Sequence, residues 1–318
     1  MKVLVTGATG FVGGAVVRRL LADGHAVRAA VRGAKSIDGV EAVVVGDIDG
    51  RTHWDAALRD IEVVVHLAAR VHVMKDTAAG SALFRATNIE GTLCLARSMR
   101  EAGARRIVFL STIKVNGEAT RPGQRFSAGD QPAPTDPYSV SKNDAERWLL
   151  ASTHLEAVVI RPPLVYGPGV KGNLARLCRL AQLGMPVPFG AIHNRRDLLG
   201  VDNLADLAVR CVVHPSAAGQ VFLAADGNPM STRQLYSMIA DAMTRPARML
   251  SVPPTLLRTL GRVLGQRAEL ERLTGSLEID IQKTQRALDW SPPVATAVGI
   301  QQMVRAFVEH RLANRAPR

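Results

Sequence analysis

The 318-residue sequence predicts an α/β fold: a doubly wound parallel sheet with a smaller C-terminal α/β lobe. Three observations predict it. Short apolar runs alternate with helical patterns through the first half of the chain. Those runs are apolar throughout, as parallel strands covered on both faces are. The first run passes directly into a glycine-rich turn that opens a helix, V-T-G-A-T-G-F-V-G at 5–13.

Taken in order, KVLVT (2–6) reads as a strand and FVGGAVVRRLLADG (11–24) as a helix. Strands follow at 26–31 and 41–47, then a helix at 52–60 and a strand at 63–68. A long helix is expected over 83–103, a strand over 106–111, a helix over 138–153 and a strand over 157–162. Alternation of this kind builds βα units. Right-handed crossovers then align the strand C-termini along one edge, where ligands bind. Beyond residue 165 the pattern loosens into loops, with helices at 174–184, 201–215 and 231–243 and a strand at 220–227. The expected division is a dinucleotide-binding domain over 1–165 and a mainly substrate-binding lobe over 166–318. Segments near 191–215 are expected to return to the sheet. The cationic, amphipathic stretch 253–273 reads as a core-facing helix with a solvated face, with peripheral membrane attachment as the sharper alternative.

Composition narrows the class. Hydrophobic residues are 47% of the chain, enough for a large core, and aromatics only 4%. The net charge of +12 favours an anionic partner. The arginines are scattered, with no polybasic run or aromatic stacking array, so a small phosphorylated molecule is expected and nucleic acid is not. Cys94, Cys178 and Cys211 are far apart and form no C-x-x-C pair, so no metal site is expected and three buried thiols are. No signal-peptide pattern and no apolar run of membrane-spanning length occurs; a cytoplasmic location without membrane association is the expectation.

The glycine turn is the first site. After a strand and before a helix, its backbone N–H groups and the helix N-terminus suit a pyrophosphate. Gly7 permits the tight turn, Gly10 a close approach and Gly13 close helix packing. Thr9, Phe11 and Val12 lie in the same turn. Asp47 and Ile48, after the third strand, are placed to hold an adenine edge. His66, ending the fourth strand, reads as structural, and Leu67, Ala68 and Ala69 beside it let a ring lie against backbone.

The second site is T-D-P-Y-S-V-S-K at 135–142. Pro137 suits a first helical turn, and Thr135 or Asp136 can cap it. Tyr138 and Lys142 then share a helix face. A cation beside a phenol stabilises phenolate, which a general acid/base near neutral pH requires.

In order, TGATGFVGG, GDI, VVHLAA, Asn88 of ATNIEGT, Ser111-Thr112, Tyr138/Lys142, RPPLVYGPG, RRDLLGVDNLADL and KTQRALDWSPP occur along nearly the whole chain. Together they resemble the extended short-chain dehydrogenases/reductases, in the branch of the UDP-glucose 4-epimerases. The resemblance implies a Rossmann sheet, NAD or NADP as cofactor, and a UDP-sugar substrate altered at C4. It implies Tyr138 as acid/base and Lys142 as the partner that lowers its pKa and bonds the nicotinamide ribose. Thr112 would bond the sugar hydroxyl, with Ser111 adjacent and Pro162 against the cofactor. Asn88 would be an active-site asparagine, Asn173 and Phe189 would line the nucleotide, and Arg196 would pair with the diphosphate. A homodimer packed through helices near 83–102 and 138–152 is also implied.

Two departures bear on the reaction. The acidic residue expected after the second strand in NAD-preferring members is Val31 here, followed by Arg32. An arginine can pair with a 2′-phosphate, so NADP is slightly favoured over NAD. In S-T-I-K-V-N-G-E (111–118), Asn116 stands where the epimerases carry tyrosine. That form resembles a subgroup that includes 4-ketoreductases making UDP-N-acetylquinovosamine for surface polysaccharide. Both reactions move a hydride at C4, so epimerisation and net reduction stay open. A reductase or dehydratase acting on a non-nucleotide substrate, and a non-catalytic dinucleotide-binding protein, are the other readings.

Overall fold

The computed structural model describes residues 1–71, 78–263, 265 and 267–313; for 78, 79, 258, 260–263, 267, 268, 312 and 313 it describes the backbone alone. Nine strands are assigned among them: β1 (Lys2–Thr6), β2 (Ala26–Val31), β3 (Glu41–Val44), β4 (Val63–His66), β5 (Arg106–Leu110), β6 (Glu156–Arg161), β7 (Leu164–Tyr166), β8 (Leu198–Gly200) and β9 (Gln220–Leu223). Seven form one parallel sheet in the order β3-β2-β1-β4-β5-β6-β9. The order reverses between β1 and β4, and at such a switch point the strand ends open a crevice. β7 and β8 pair separately.

The helices are α1 (Phe11–Ala22), α2 (Asp55–Leu58), α3 (Ala78–Phe84), α4 (Gly91–Ala102), α5 (Pro137–Ala151), α6 (Gly172–Leu183), α7 (Val201–Val213), α8 (Thr232–Ala242), α9 (Pro254–Val263), α10 (Arg267–Thr274), α11 (Gln282–Leu288) and α12 (Thr296–Ala313). α1 and α7 cover one face of the sheet, sharing a core with Val3, Val5, Val65 and Ile160. α2, α4 and α5 cover the other, around Leu4, Val64, Phe109 and Val159. Both faces are therefore buried, which is why the strands carry no polar alternation. α7 and β9 lie beyond residue 165 yet pack with the sheet, whereas α6, α8 and α12 enclose a separate core.

Three elements differ from expectation. The helix expected over 83–103 is α3, then a π-helical segment (Arg85–Glu90), then α4. The helix expected over 52–60 shrinks to the single turn of α2. The cationic stretch 253–273 forms two helices, α9 and α10, and several of its side chains fall outside the described residues. Cys178 and Cys211 are buried, but Cys94 is only half-buried. Among the described residues no helix is long and apolar enough to cross a membrane, and no group of three or more His, Cys, Asp or Glu could hold a metal ion.

Candidate active site

The strand ends at the switch point open a cleft of about 1070 Å³, just above the usual range for small-molecule and cofactor sites. Its floor is the glycine turn. Gly7 has φ +69°, a left-handed conformation, and a Cβ there would lie 2.9 Å from the Ala68 nitrogen. Gly7 O accepts from Gly10 N at 2.9 Å, closing the turn. A Cβ on Gly13 would fall 2.0 Å from Gly7 O, so α1 reaches this close to β1 only with glycine there. Gly10 would meet only Gly7 O, at 3.1 Å, and its other side is open to the cleft.

Of the residues expected at a cofactor, Gly7, Thr9, Gly10, Phe11, Val12, Arg32, Asp47, Ile48, Leu67, Ala68, Ala69, Ser111 and Tyr138 line this one cleft. Lys142 and Pro162 do not line it. Both are buried; the Pro162 carbonyl is taken by Ile113 N at 2.9 Å. Arg32 and Asp47 meet each other: Nε lies 3.0 Å from Oδ1, with both side chains more than 80% exposed. The cation expected to await a 2′-phosphate thus stands beside a carboxylate. Lys35 also lines this end of the cleft and was not singled out in the sequence.

Beneath the cleft runs a closed hydrogen-bond chain. Ala68 N donates to Thr6 Oγ1 (3.1 Å), which lies 2.7 Å from His66 Nδ1. His66 Nε2 lies 3.0 Å from Thr92 Oγ1, which donates to the Asn88 carbonyl (2.8 Å). Thr92 has one proton and uses it on Asn88, so His66 must donate from Nε2 and accept at Nδ1. Burial, with the Lys142 charge second, pulls the His66 pKa down to about 3. The neutral ring fixes the loop at Ala68 to the π segment, consistent with the structural reading.

This burial has a measurable consequence. The unfolded chain binds a proton on His66 below about 6.5 that the native state refuses until about 3, so His66 makes stability fall as pH drops through that window. Asp197, raised to about 6 mainly by burial, acts with the opposite sign: there the native state holds the extra proton, and stability falls as pH rises. Comparison with His66→Gln isolates the histidine. The stability advantage of wild type should shrink by about 1.4 kcal/mol per pH unit below 6.5; a pH-independent difference by urea unfolding would refute the neutral ring.

Tyr138 sits in the first turn of α5. Asp136 and Ser139 form a capping box, and Pro137 is at the helix start. Lys142, one turn on, is buried with Nζ 3.9 Å from the centroid of the Phe109 ring. Burial pulls its pKa down to about 7, against the favourable charge of Glu146. The Tyr138 phenol is pushed up instead of down, by burial first and Asp136 second. The lowering expected from Lys142 is not found: burial and the Asp136 charge are what act on the phenol. Ser111 Oγ is buried and without a partner, at the lining of the same cleft. An orphaned hydroxyl, a glycine cradle and a cleft of this volume fit a bound nicotinamide dinucleotide.

The substrate-side residues divide. Thr112 is half-buried, and its Oγ1 accepts from Lys114 N at 3.3 Å, leaving its proton to donate. Asn88 is buried and its hydrogen bonds go to Arg70 O (3.0 Å), Arg70 N (2.8 Å) and Ser141 Oγ (2.9 Å). As placed, it ties the loop after β4 to α5. Asn173 is exposed in the first turn of α6. Phe189 is in the C-terminal core, edge-on to Tyr236 with centroids 5.7 Å apart, so its ring packs inward. Asn116, which stands where the epimerases carry tyrosine, is also turned inward. Its Oδ1 accepts from Arg161 Nη1 at 3.0 Å and its Nδ2 donates to Ser127 O at 2.9 Å.

Arg196 is half-buried, held by backbone bonds to Met230 and by Nη1 to Gly275 O at 3.1 Å. Burial lowers its pKa, with Glu118 opposing and Arg272 adding to the effect. Arg272, from α10, is a second guanidinium that bears on it and was missed in the sequence. It comes close because Asp197 N bonds Leu277 O and Leu277 N bonds Arg195 O, pairings about 80 residues apart.

Residues 3–225 match the model of the NAD dependent epimerase/dehydratase family. The chain is 43% identical over 314 residues to a UDP-glucose 4-epimerase of Vibrio cholerae, covering 97% of this chain and 96% of that one. It is 33% identical to a UDP-glucose 4-epimerase of Mycolicibacterium smegmatis, covering 96% and 98%. The fold matches a crystal structure of UDP-glucuronic acid 4-epimerase from Bacillus cereus in complex with NAD, with TM-score 0.78 at 22% identity over 98% and 99% of the chains. The chain belongs to the NAD dependent epimerase/dehydratase family.

Proposed function

We propose that the protein is an NAD-dependent UDP-hexose 4-epimerase. The observation that carries this reading is the convergence of Tyr138 and Ser111 on the dinucleotide-shaped cleft, in a chain 43% identical along nearly its full length to a relative named UDP-glucose 4-epimerase. Bound NAD would supply reversible hydride transfer at C4. Tyr138, as tyrosinate, takes the 4-hydroxyl proton and, as the phenol so formed, later returns it. Ser111 and Thr112 donate hydrogen bonds to the oxygen that changes charge. Lys142, one turn along α5 from Tyr138, adds positive charge when it is protonated. Arg196 and Arg272 hold the diphosphate, so the nucleotide stays fixed while the sugar turns.

NAD is favoured over NADP because Asp47 neutralises Arg32 and would repel a 2′-phosphate. Asn116 is engaged by Arg161, which supports a structural role for it over one in choosing net ketoreduction. A homodimer through α4 and α5 is supported by the exposure of Val140 and Leu150 on α5. The reading is tested by supplying UDP-glucose and NAD to the purified protein and assaying the C4 epimer. Arg196→Ala should raise KM for the UDP-sugar about 10- to 100-fold, the loss of one or two charge-assisted hydrogen bonds, with a smaller change in kcat. An unchanged KM would make Arg196 a structural arginine only.

A further inference from the structure

A chain of charges runs from the start of α5 through Lys114 and Glu118 to Arg272. Asp136 caps α5 two residues before Tyr138, its Oδ1 accepting from Ser139 N at 2.7 Å. Its Oδ2 is bonded by the Lys114 ammonium, from the 3₁₀ turn Ile113–Val115 that follows β5. Lys114 Nζ also lies 2.9 Å from Glu118 Oε1. Glu118 Oε2 in turn lies 4.0 Å from Arg272 Nε, on the C-terminal lobe. The Lys114 and Asp136 side chains are 27% and 30% exposed, so solvent screens the pair only in part.

A carboxylate close to a phenol disfavours phenolate, and the Asp136 charge does push the Tyr138 proton affinity up. The capping box holds Asp136 in place, so this charge cannot swing away. Among the described residues, the other charges on elements packed against α5 are engaged or remote. α3 presents the Phe84 ring, 6.1 Å from Tyr138. In the π segment, Arg85 and Glu90 pair with each other. On α4, Arg97, Arg100 and Glu101 are exposed. On β6, Arg161 is engaged by Glu146 and Glu156 by Arg106. Lys142 and the neutral His66 lie beneath. Lys114 is the cation that bonds Asp136.

We propose that Lys114 is a positioning residue for the acid/base: fixed between Glu118 and Asp136, it neutralises the helix-capping carboxylate beside Tyr138. The inference rests on the reading of Tyr138 as acid/base. It also gives the K-V-N-G-E segment a role: Asn116 completes a buried ion pair, and Lys114 sets the electrostatics of the catalytic helix start.

The test is the pH profile of kcat/KM for UDP-glucose, with tyrosinate absorbance at 295 nm followed in the NAD-loaded protein against Tyr138→Phe. In Lys114→Met the limb and the absorbance step belonging to Tyr138 should both move about one unit to higher pH. Lys114→Met/Asp136→Asn should return them to the wild-type position, Lys114→Arg should leave them there, and Asp136→Asn alone should move them to lower pH. Unmoved limbs and steps in Lys114→Met and Asp136→Asn, while Tyr138→Phe is inactive, would reduce Lys114 to a structural role and overturn the proposal. Continued turnover by Tyr138→Phe would instead remove the acid/base reading beneath it.

Discussion

Tyr138→Phe should lose about 10³-fold in kcat, within the usual worth of a positioned general acid/base. The substitution removes one oxygen from a side chain that lines the cleft and packs against Phe84, so folding should be unaffected. KM for the UDP-sugar should change little, because the diphosphate is assigned to Arg196 and Arg272, on the other lobe. A variant that keeps kcat within tenfold of wild type would show that another group moves the proton. One that loses affinity and keeps turnover would place Tyr138 in binding only.

Glu146→Ala should cost about 3–5 kcal/mol of stability, the usual consequence of removing one partner from a buried ion pair. Glu146 Oε2 accepts from Arg161 Nη2 at 2.5 Å, both oxygens accept from Arg161 Nε at 3.1 Å, and both side chains are nearly fully buried. Without the carboxylate, Arg161 keeps Asn116 as its side-chain partner, and a guanidinium charge stays in the core. Thermal unfolding should fall by roughly 10 °C. The double variant Glu146→Met/Arg161→Leu should recover most of the loss, since an apolar pair leaves no uncompensated charge. A single variant within 1 kcal/mol of wild type would mean that water reaches Arg161. The pair also reaches the site: Glu146 lies one turn beyond Lys142 and supports its charge, so the lysine of Glu146→Ala should titrate lower still.

What was legible in the sequence was what neighbouring residues determine. Gly7, Gly10 and Gly13 announce the cradle because the turn, the close approach and the helix contact all fall within seven residues. Asp136, Pro137 and Ser139 announce the start of α5 for the same reason. The alternation of apolar runs gave the sheet, since strands buried on both faces cannot hide their composition. What was not legible was the direction in which a side chain points and its distant partner. Phe189 lies in a segment of the expected kind but turns into the core, and Asn116 turns to an arginine 45 residues away. The Arg32–Asp47 pair, the approach of Arg272 to Arg196 and the π segment before α4 have no local signature either. The Arg272 approach arises from pairings about 80 residues apart.

The most direct measurement of the central claim uses UDP-glucose deuterated at C4, incubated with purified protein and NAD and with no reduced cofactor added. The expected product is the C4 epimer with deuterium retained at C4, without accumulation of NADH. Tyr138→Phe should form neither. Absence of the epimer, together with stoichiometric consumption of NADPH on a UDP-4-keto-6-deoxy sugar, would contradict the epimerase reading and establish a 4-ketoreductase.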